Sequence, residues 1–143
     1  PTGGGKSTLV SLICRFYEAR ERGDRDGVRA LLHEDVIWHD PYPPPHGGDL
    51  RGRAAVFRDV FDKAAELTGG TTRLWLEDAL ATDRNAVALV GWSSTYRGRT
   101  MKSREIALFR IEEGTIREAW FHPEAPEAAR EFFHSAESSP TGQ

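Results

Sequence analysis

Residues 15–41 read RFYEARERGDRDGVRALLHEDVIWHDP, and they carry more information about the architecture than any other stretch of this chain. An aromatic helical pattern comes first, and Gly23-Asp24 then provides a turn and a cap for a second, shorter helical pattern. The apolar run that follows is extended and ends at Pro41, because the residue before a proline is disfavoured in the helical conformation. The stretch therefore predicts a helix, a short helix and a strand, in that order.

The apolar spacing upstream and downstream of this stretch predicts three helices. The first spans residues 8–22 with Ser7 or Thr8 as its cap, and the second is capped by Asp24. The third spans 53–67 and ends at Gly69-Gly70. Between the strand and the third helix, YPPPHGGDLRG (42–52) is expected to be irregular because proline and glycine interrupt it throughout. The apolar positions that define the first two helices are Leu9, Leu12, Ile13, Phe16 and Tyr17, and then Val28, Leu31 and Leu32.

In the second half of the chain the apolar period changes from 3.6 to 2 residues, which indicates strands. Strands are predicted at about 72–81, 85–96, 100–111 and 115–122, with a last short helix at 126–134. The turns TDRN, RGR and EEG are short enough to make successive strands antiparallel neighbours. Helices followed by an antiparallel meander predict an α+β domain with its helices on one face of a curved sheet.

This layout, the stretch 15–41 and YRGRTMKSREIALFRIEEGTIREAWF (96–121) together resemble the NTF2-like superfamily, and within it ketosteroid isomerase-like and SnoaL-like proteins. The resemblance covers about residues 8–133. It implies a cone-shaped fold with three N-terminal helices packed on a curved antiparallel sheet, around an apolar pocket. It also implies a homodimer formed through the outer face of the sheet, where Ile106 and Leu108, and Trp75 or Leu74, would be buried.

The first residues, PTGGGKST, look like the end of a phosphate-binding loop. That motif is G-x-x-x-x-G-K-[ST] after a buried strand, and its first glycine would lie before Pro1. No Mg²⁺-binding strand end and no further motif of a nucleotide-binding ATPase follow. We expect a flexible Gly-rich leader at 1–7, one NTF2-like (SnoaL-like) domain at 8–134 and a disordered tail at 135–143.

Composition excludes several classes of function. The 143 residues carry a net charge of −3, which gives no reason to expect a nucleic acid or membrane partner. The single cysteine, Cys14, falls among helical apolar positions and is expected to be a packed thiol. The absence of a long apolar run predicts a cytoplasmic protein.

The resemblance implies catalytic roles that this sequence fills only in part. The general base of the isomerases corresponds to Asp40, which precedes Pro41 as it does in the family. Their oxyanion-binding tyrosine corresponds to Phe16, with Tyr17 rotated by about 100° from that position. Their oxyanion-binding aspartate corresponds to Ala107. Because one such donor is worth roughly 100- to 1000-fold in rate, steroid isomerisation by the family's mechanism is not expected.

A second carboxyl is a candidate for acid–base chemistry. Strand alternation puts Ser103, Glu105, Ala107 and Phe109 on one face. In an apolar pocket Glu105 would have a raised pKa and act as an acid or base. The alternatives are that Glu105 forms a salt bridge with Arg104 or Arg117, and that Asp40 only caps the turn after it.

The remaining candidates would line the pocket and bind a small apolar or aromatic ligand. His39 alternates away from Asp40, and His46 could lie at the rim. No histidine has the spacing of a metal-ligand set, so neither a metal nor a cofactor is expected. The residues expected to bind substrate are Phe16, Tyr17, Trp38, Phe57, Phe61, Trp92, Ser103, Ala107, Phe109, Trp120 and His122.

The sequence therefore favours a SnoaL-like enzyme or accessory protein that uses Asp40 for isomerisation or aldol-type cyclisation of a polyketide-like or other cyclic apolar molecule. Two alternatives stay open. One is a non-catalytic binding module of the same fold. The other is epoxide opening, which would require Asp40 and Glu105 to share one water.

Overall fold

The computed structural model describes residues 2–41 and 48–138. Its helices are α1 (Thr2–Arg22), α2 (Arg25–Leu31), α3 (Arg53–Val56), α4 (Lys63–Thr68) and α5 (Pro126–Ser138), and a π-helical segment, Phe57–Asp62, joins α3 to α4. Its strands are β1 (Leu32–Asp40), β2 (Gly48–Arg51), β3 (Arg73–Ala81), β4 (Asn85–Tyr96), β5 (Arg99–Glu112) and β6 (Thr115–Pro123). None of the helices in the described ranges is long and apolar enough to cross a membrane.

The strands form one sheet in the order β2-β1-β6-β5-β4-β3. Neighbours are antiparallel except β1 and β6, which run parallel. The predicted α+β fold, with helices packed on a curved and mainly antiparallel sheet, is confirmed, and β3 to β6 begin and end within one residue of their predicted bounds.

Four predicted boundaries are wrong. Leu32 was expected in the second helix, but it begins β1, where it pairs with Ile116. Residues 48–51 were expected to be irregular, but they form β2, because pairing with the end of β1 satisfies their backbone groups. Helix α1 begins at Thr2, so residues 2–7 are helical and neither Ser7 nor Thr8 is a cap. Glycine lowers helix propensity without preventing the conformation, and a packed helix can extend through it. Helix α5 continues to Ser138 instead of ending at 134, and residues 139–143 lie outside the described part of the chain.

The core lies between the concave face of the sheet and the helices. Helix α1 contributes an apolar face from Leu9 to Ala19. The centre of the concave face carries alanines that are completely buried: Ala86, Ala88, Ala107 and Ala119. Small side chains there leave room for the rings of Phe16 and Tyr17, which are 0% and 2% exposed. The helix therefore sits deep against the sheet and brings its polar side chains close to the strand residues opposite.

Candidate functional site

Two carboxyl groups face the concave side of the sheet. Asp40 ends β1, and strand alternation puts it on the same face of the sheet as the buried Val36 and Trp38. Glu105 of β5 pairs with Val90 of β4, and it lies on the same face of the sheet as the buried Ala107 and Phe109. Burial is the main reason that the pKa of Glu105 is raised, and the charge of Asp40 adds to it, so the fold brings the two carboxyls within electrostatic reach of each other.

Glu105 is held in a form suited to proton transfer. Burial raises the pKa of its carboxyl to about 7, with Arg20 opposing and Asp40 adding to the rise. Of its two expected ion partners, Arg104 bonds instead to Glu124 at 2.6 Å, and Arg117 contacts Nε2 of His33 at 2.9 Å. Within the described residues Glu105 therefore has no salt bridge, and its carboxyl exchanges a proton near neutral pH.

Tyr17 brings a hydroxyl group to the same site. Its hydroxyl oxygen is buried and has no hydrogen-bond partner among the described residues. Burial, and then the charge of Glu105, raise the pKa of the phenol, so it stays protonated and able to donate. From the helical rotation alone, Tyr17 was not expected to substitute for a tyrosine at Phe16. Both side chains are buried because several elements enclose α1.

Arg20 is a site residue that the sequence did not reveal. It follows Tyr17 by three positions and lies on the same side of α1. Burial lowers the pKa of its guanidinium, while Tyr17, Glu105 and Asp40 raise it. Arginine nevertheless remains charged in proteins. A single arginine in a charged helix carries no distinguishing signal, although its three-residue spacing from Tyr17 could have suggested a shared face.

Aromatic rings enclose these polar groups. Phe16 and Phe109 pack edge to face at 5.8 Å between centroids, and Trp38 contacts Phe61 at 5.7 Å and Phe121 at 4.6 Å. Of the other predicted lining residues, Phe57 packs on Phe61, Ala107 is buried, and Trp92 pairs in register with Ser103 on the concave face. Phe121 was not among the predicted residues.

Trp120 and His122 do not lie with this group. Phe121 pairs with Ala107 on the concave face, so its neighbours in β6 point to the outer face. Trp120 stacks on His39, with ring centroids 5.4 Å apart, and His122 is exposed. Both were expected in the pocket, and the register of β6 overturns that expectation.

His39 lies on the outer face, as its alternation with Asp40 predicts. Its ring nitrogens contact Asp49 at 2.8 Å and Glu118 at 2.7 Å. Burial lowers the pKa of His39, but the hydrogen bonds to the two carboxylates outweigh it and the net pKa is raised. His46, expected at the rim, lies outside the described residues. Nowhere in residues 2–41 and 48–138 do three or more potential metal ligands cluster.

Comparison with known proteins agrees with this architecture. The family model for the SnoaL-like domain matches residues 13–119. Bal32a from a soil-derived mobile gene cassette superposes with a TM-score of 0.84 at 24% identity, over 90% of this chain and 98% of that protein. A protein of unknown function with a cystatin-like fold from Xanthomonas campestris gives 0.80 at 26% identity, over 88% and 97%. TerC, co-crystallised with polyporic acid, gives 0.77 at 19% identity, over 90% and 99%. No curated protein matches the chain in sequence.

Helices packed on a curved, mainly antiparallel sheet in this way form the architecture of the NTF2-like superfamily. The chain belongs to the SnoaL-like domain family within it.

Proposed function

We propose that this protein is a SnoaL-like enzyme that moves a proton next to a carbonyl group of a cyclic, largely apolar molecule. Glu105 and Asp40 are the acid–base groups. One observation carries the proposal: the Glu105 carboxyl has a pKa of about 7 and forms no salt bridge with any described residue. An acid–base catalyst is most effective when its pKa lies near the working pH.

The neighbouring groups support a complete proton-transfer step. One carboxylate takes the proton from the carbon beside the carbonyl, and the electron pair of that C–H bond moves to the carbonyl oxygen to form an enolate. In a ketone with a neighbouring C=C bond, the enolate is conjugated, and returning the proton to the far carbon of that system completes an isomerisation. Alternatively, the enolate carbon attacks a second carbonyl, whose oxygen then takes the proton from the carboxyl, and this completes an aldol-type cyclisation.

Tyr17 and Arg20 are suited to stabilise the enolate oxygen. The Tyr17 hydroxyl is neutral and without a partner among the described residues, so it can donate a hydrogen bond as negative charge develops. The guanidinium of Arg20 adds a positive charge close to both carboxyls. In the isomerases, the positions of Phe16 and Ala107 hold the two groups that stabilise the oxyanion. Tyr17 and Arg20 could take over that role here, and on these grounds we favour an enzyme over a binding module.

The test is hydrogen–deuterium exchange at the carbon beside the carbonyl in a panel of cyclic ketones such as 2-tetralone, followed by NMR. The wild type should exchange faster than buffer, and Glu105→Gln should lose roughly 100-fold or more of that rate. Asp40→Asn should also be slower. Glu34→Gln, an exposed carboxylate on β1, is the matched control.

If Glu105→Gln exchanges as fast as the wild type, acid–base catalysis by this residue is refuted. If the protein binds these ketones but never exchanges their protons, the non-catalytic binding module takes its place.

Epoxide opening is a second candidate, supported by the coupling of Arg20 to both Glu105 and Asp40. One carboxyl would protonate the epoxide oxygen while the other takes a proton from the attacking water, giving a diol. Incorporation of ¹⁸O from labelled water into a diol would identify this reaction. Failure of the protein to open any of a set of cyclic epoxides would exclude it.

We also propose that a second copy of the chain covers the outer face of the sheet. Ile106 is 48% exposed and Leu80 is 66% exposed on that face. Trp75 lies there too, because it pairs with Gly91 opposite Arg104, whereas Leu74 packs against the core. Exposed apolar groups bordered by charged residues such as Arg104 are typical of protein interfaces.

A further inference from the structure

A cleft of about 360 Å³ is lined in part by Arg20. Its walls are the end of α1 with the turn into α2, the π-helical segment with α4, and the start of β3. Apolar side chains, including Val28, Phe57, Phe61 and Leu74, form a large part of its surface. A volume of this size is at the lower end of the range that small organic ligands occupy.

Arg20 connects this cleft to the acid–base groups. It lines the cleft, and the Cζ atom of its guanidinium lies 4.4 Å from the ring centroid of Phe61. The same guanidinium is electrostatically coupled to Glu105 and Asp40. The charge of a ligand group bound to Arg20 from the cleft would therefore be coupled, through this guanidinium, to the proposed catalytic carboxyls.

The hydrogen-bonding capacity of Arg20 is not used within the described residues, where its contacts are the rings of Phe16 and Phe61 and the electrostatic coupling above. The other three arginines at the cleft differ, because each has oxygen partners close by: Arg25 with Asp62 at 2.6 Å, Arg22 with Asp24 at 3.2 Å, and Arg73 with the carbonyl oxygens of Gly70 and Thr72, both at 3.4 Å. A partly buried guanidinium whose donors find no acceptor in the described part of the chain is suited to receive an acceptor from a ligand.

The π-helical segment is an independent sign that this wall is adapted to a ligand. Residues Phe57–Asp62 interrupt an otherwise α-helical stretch, and such segments occur frequently at functional sites. Phe57 and Phe61 both lie in this segment, and their rings pack edge to face at 5.1 Å. Both rings line the cleft, and the guanidinium groups of Arg20 and Arg25 lie over Phe61 and Phe57, so the two rings hold these cationic groups at the cleft wall.

We propose that this cleft binds a cyclic, largely apolar molecule that carries an anionic oxygen, and that Arg20 binds that oxygen. The oxygen belongs to a carboxylate or to an ionised enol or phenol. The inference rests on the proposed function in so far as the molecule is the enzyme's substrate. Arginine suits this role better than lysine because its planar guanidinium can donate two parallel hydrogen bonds to a carboxylate.

Calorimetric titration with 2-naphthoate and with its neutral analogue 2-naphthamide tests the proposal without requiring turnover. The wild type should bind 2-naphthoate roughly 10- to 100-fold more tightly, the range expected for a hydrogen bond between charged groups. Arg20→Gln should abolish the preference. Arg22→Gln is the matched control, because Arg22 lies on the same helix and cleft but pairs with Asp24, and its preference should equal that of the wild type.

Thermal unfolding will show whether Arg20→Gln folds. If it does not, Arg20→Lys, which retains the charge without the planar donors, should bind 2-naphthoate with a reduced preference over the amide. To distinguish a carboxylate site from an enol or phenol site, 2-naphthol titrated above and below its own pKa is compared with 2-naphthoate. Tighter binding of the ionised naphthol than of 2-naphthoate would assign the site to enols and phenols.

Equal affinity of the wild type for 2-naphthoate and 2-naphthamide, no binding of either, or a preference that survives Arg20→Gln would overturn the proposal. These outcomes are independent of proton exchange by the Glu105 variants. If proton exchange depends on Glu105 but the binding affinity does not depend on the charge of the ligand, the proposed function stands and this inference is refuted.

Discussion

Replacing Glu105 by Gln should change the pH dependence of stability in a direction that the structure determines. The pKa of this carboxyl rises from 4.5 to about 7 on folding, chiefly through burial. The folded protein therefore binds this proton more tightly than the unfolded chain does. As the pH rises from about 4.5 to about 7, the wild type loses stability through this group, and the cost is fully present above that window.

The size of the effect follows from the same shift. At 1.36 kcal/mol per pH unit, a rise from 4.5 to about 7 corresponds to about 3 kcal/mol at most. Glu105→Gln removes the titrating group, so its free energy of unfolding relative to the wild type should increase by up to that amount between pH 4 and pH 8.5. Any constant cost of placing an amide in the site cancels from this change with pH.

Urea unfolding of both proteins at a series of pH values measures this difference. Titrating groups that are not coupled to Glu105, including His39, remain in both proteins and cancel. Glu34→Gln, with an exposed side chain, is the control and should follow the wild type at every pH. A difference between Glu105→Gln and the wild type that does not change with pH would refute the conclusion that Glu105 is a desolvated carboxyl.

Three further predictions concern the outer face, the sheet and α2. Ile106→Asp should make the proposed dimer dissociate in sedimentation velocity, and a wild type that is monomeric at high micromolar concentration would contradict the dimer. Gly91→Ala should destabilise the fold by roughly 1–3 kcal/mol in urea unfolding, because the added methyl group would overlap the indole ring of Trp75; an unchanged midpoint would show that the ring moves freely. Asp24→Ala should cost about 1 kcal/mol because its carboxylate accepts a hydrogen bond from the Gly27 N–H at 2.9 Å, and Asp26→Ala, which removes an exposed carboxylate two residues after the cap, should cost less.

The parts of the fold that local chemistry controls were predictable from the sequence. Asp24 caps α2 as expected, since an N-cap needs only the next few residues of the chain. Gly69 ends α4 in the left-handed conformation that glycine adopts without strain. The strands from β3 onward also followed from their two-residue period. The placement of Asp40, Glu105 and Phe109 on the concave face could be predicted, because strand alternation depends on sequence position alone.

The remaining features depend on contacts between distant parts of the chain. Trp120 lies outside the cone because Phe121 pairs with Ala107, and a shift of one residue in that register would have reversed the two faces. β2 forms because β1 is available to pair with it.

The chemistry of the site was decided in the same way. Tyr17 and Arg20 were visible as helix residues, but nothing local indicates that β5 places Glu105 close enough to affect the pKa of each. The pKa of a carboxyl depends on the solvent excluded and the charges brought near it by folding. The sequence by itself therefore determined which groups were available, and only the tertiary structure decided which of them lie within electrostatic reach of one another.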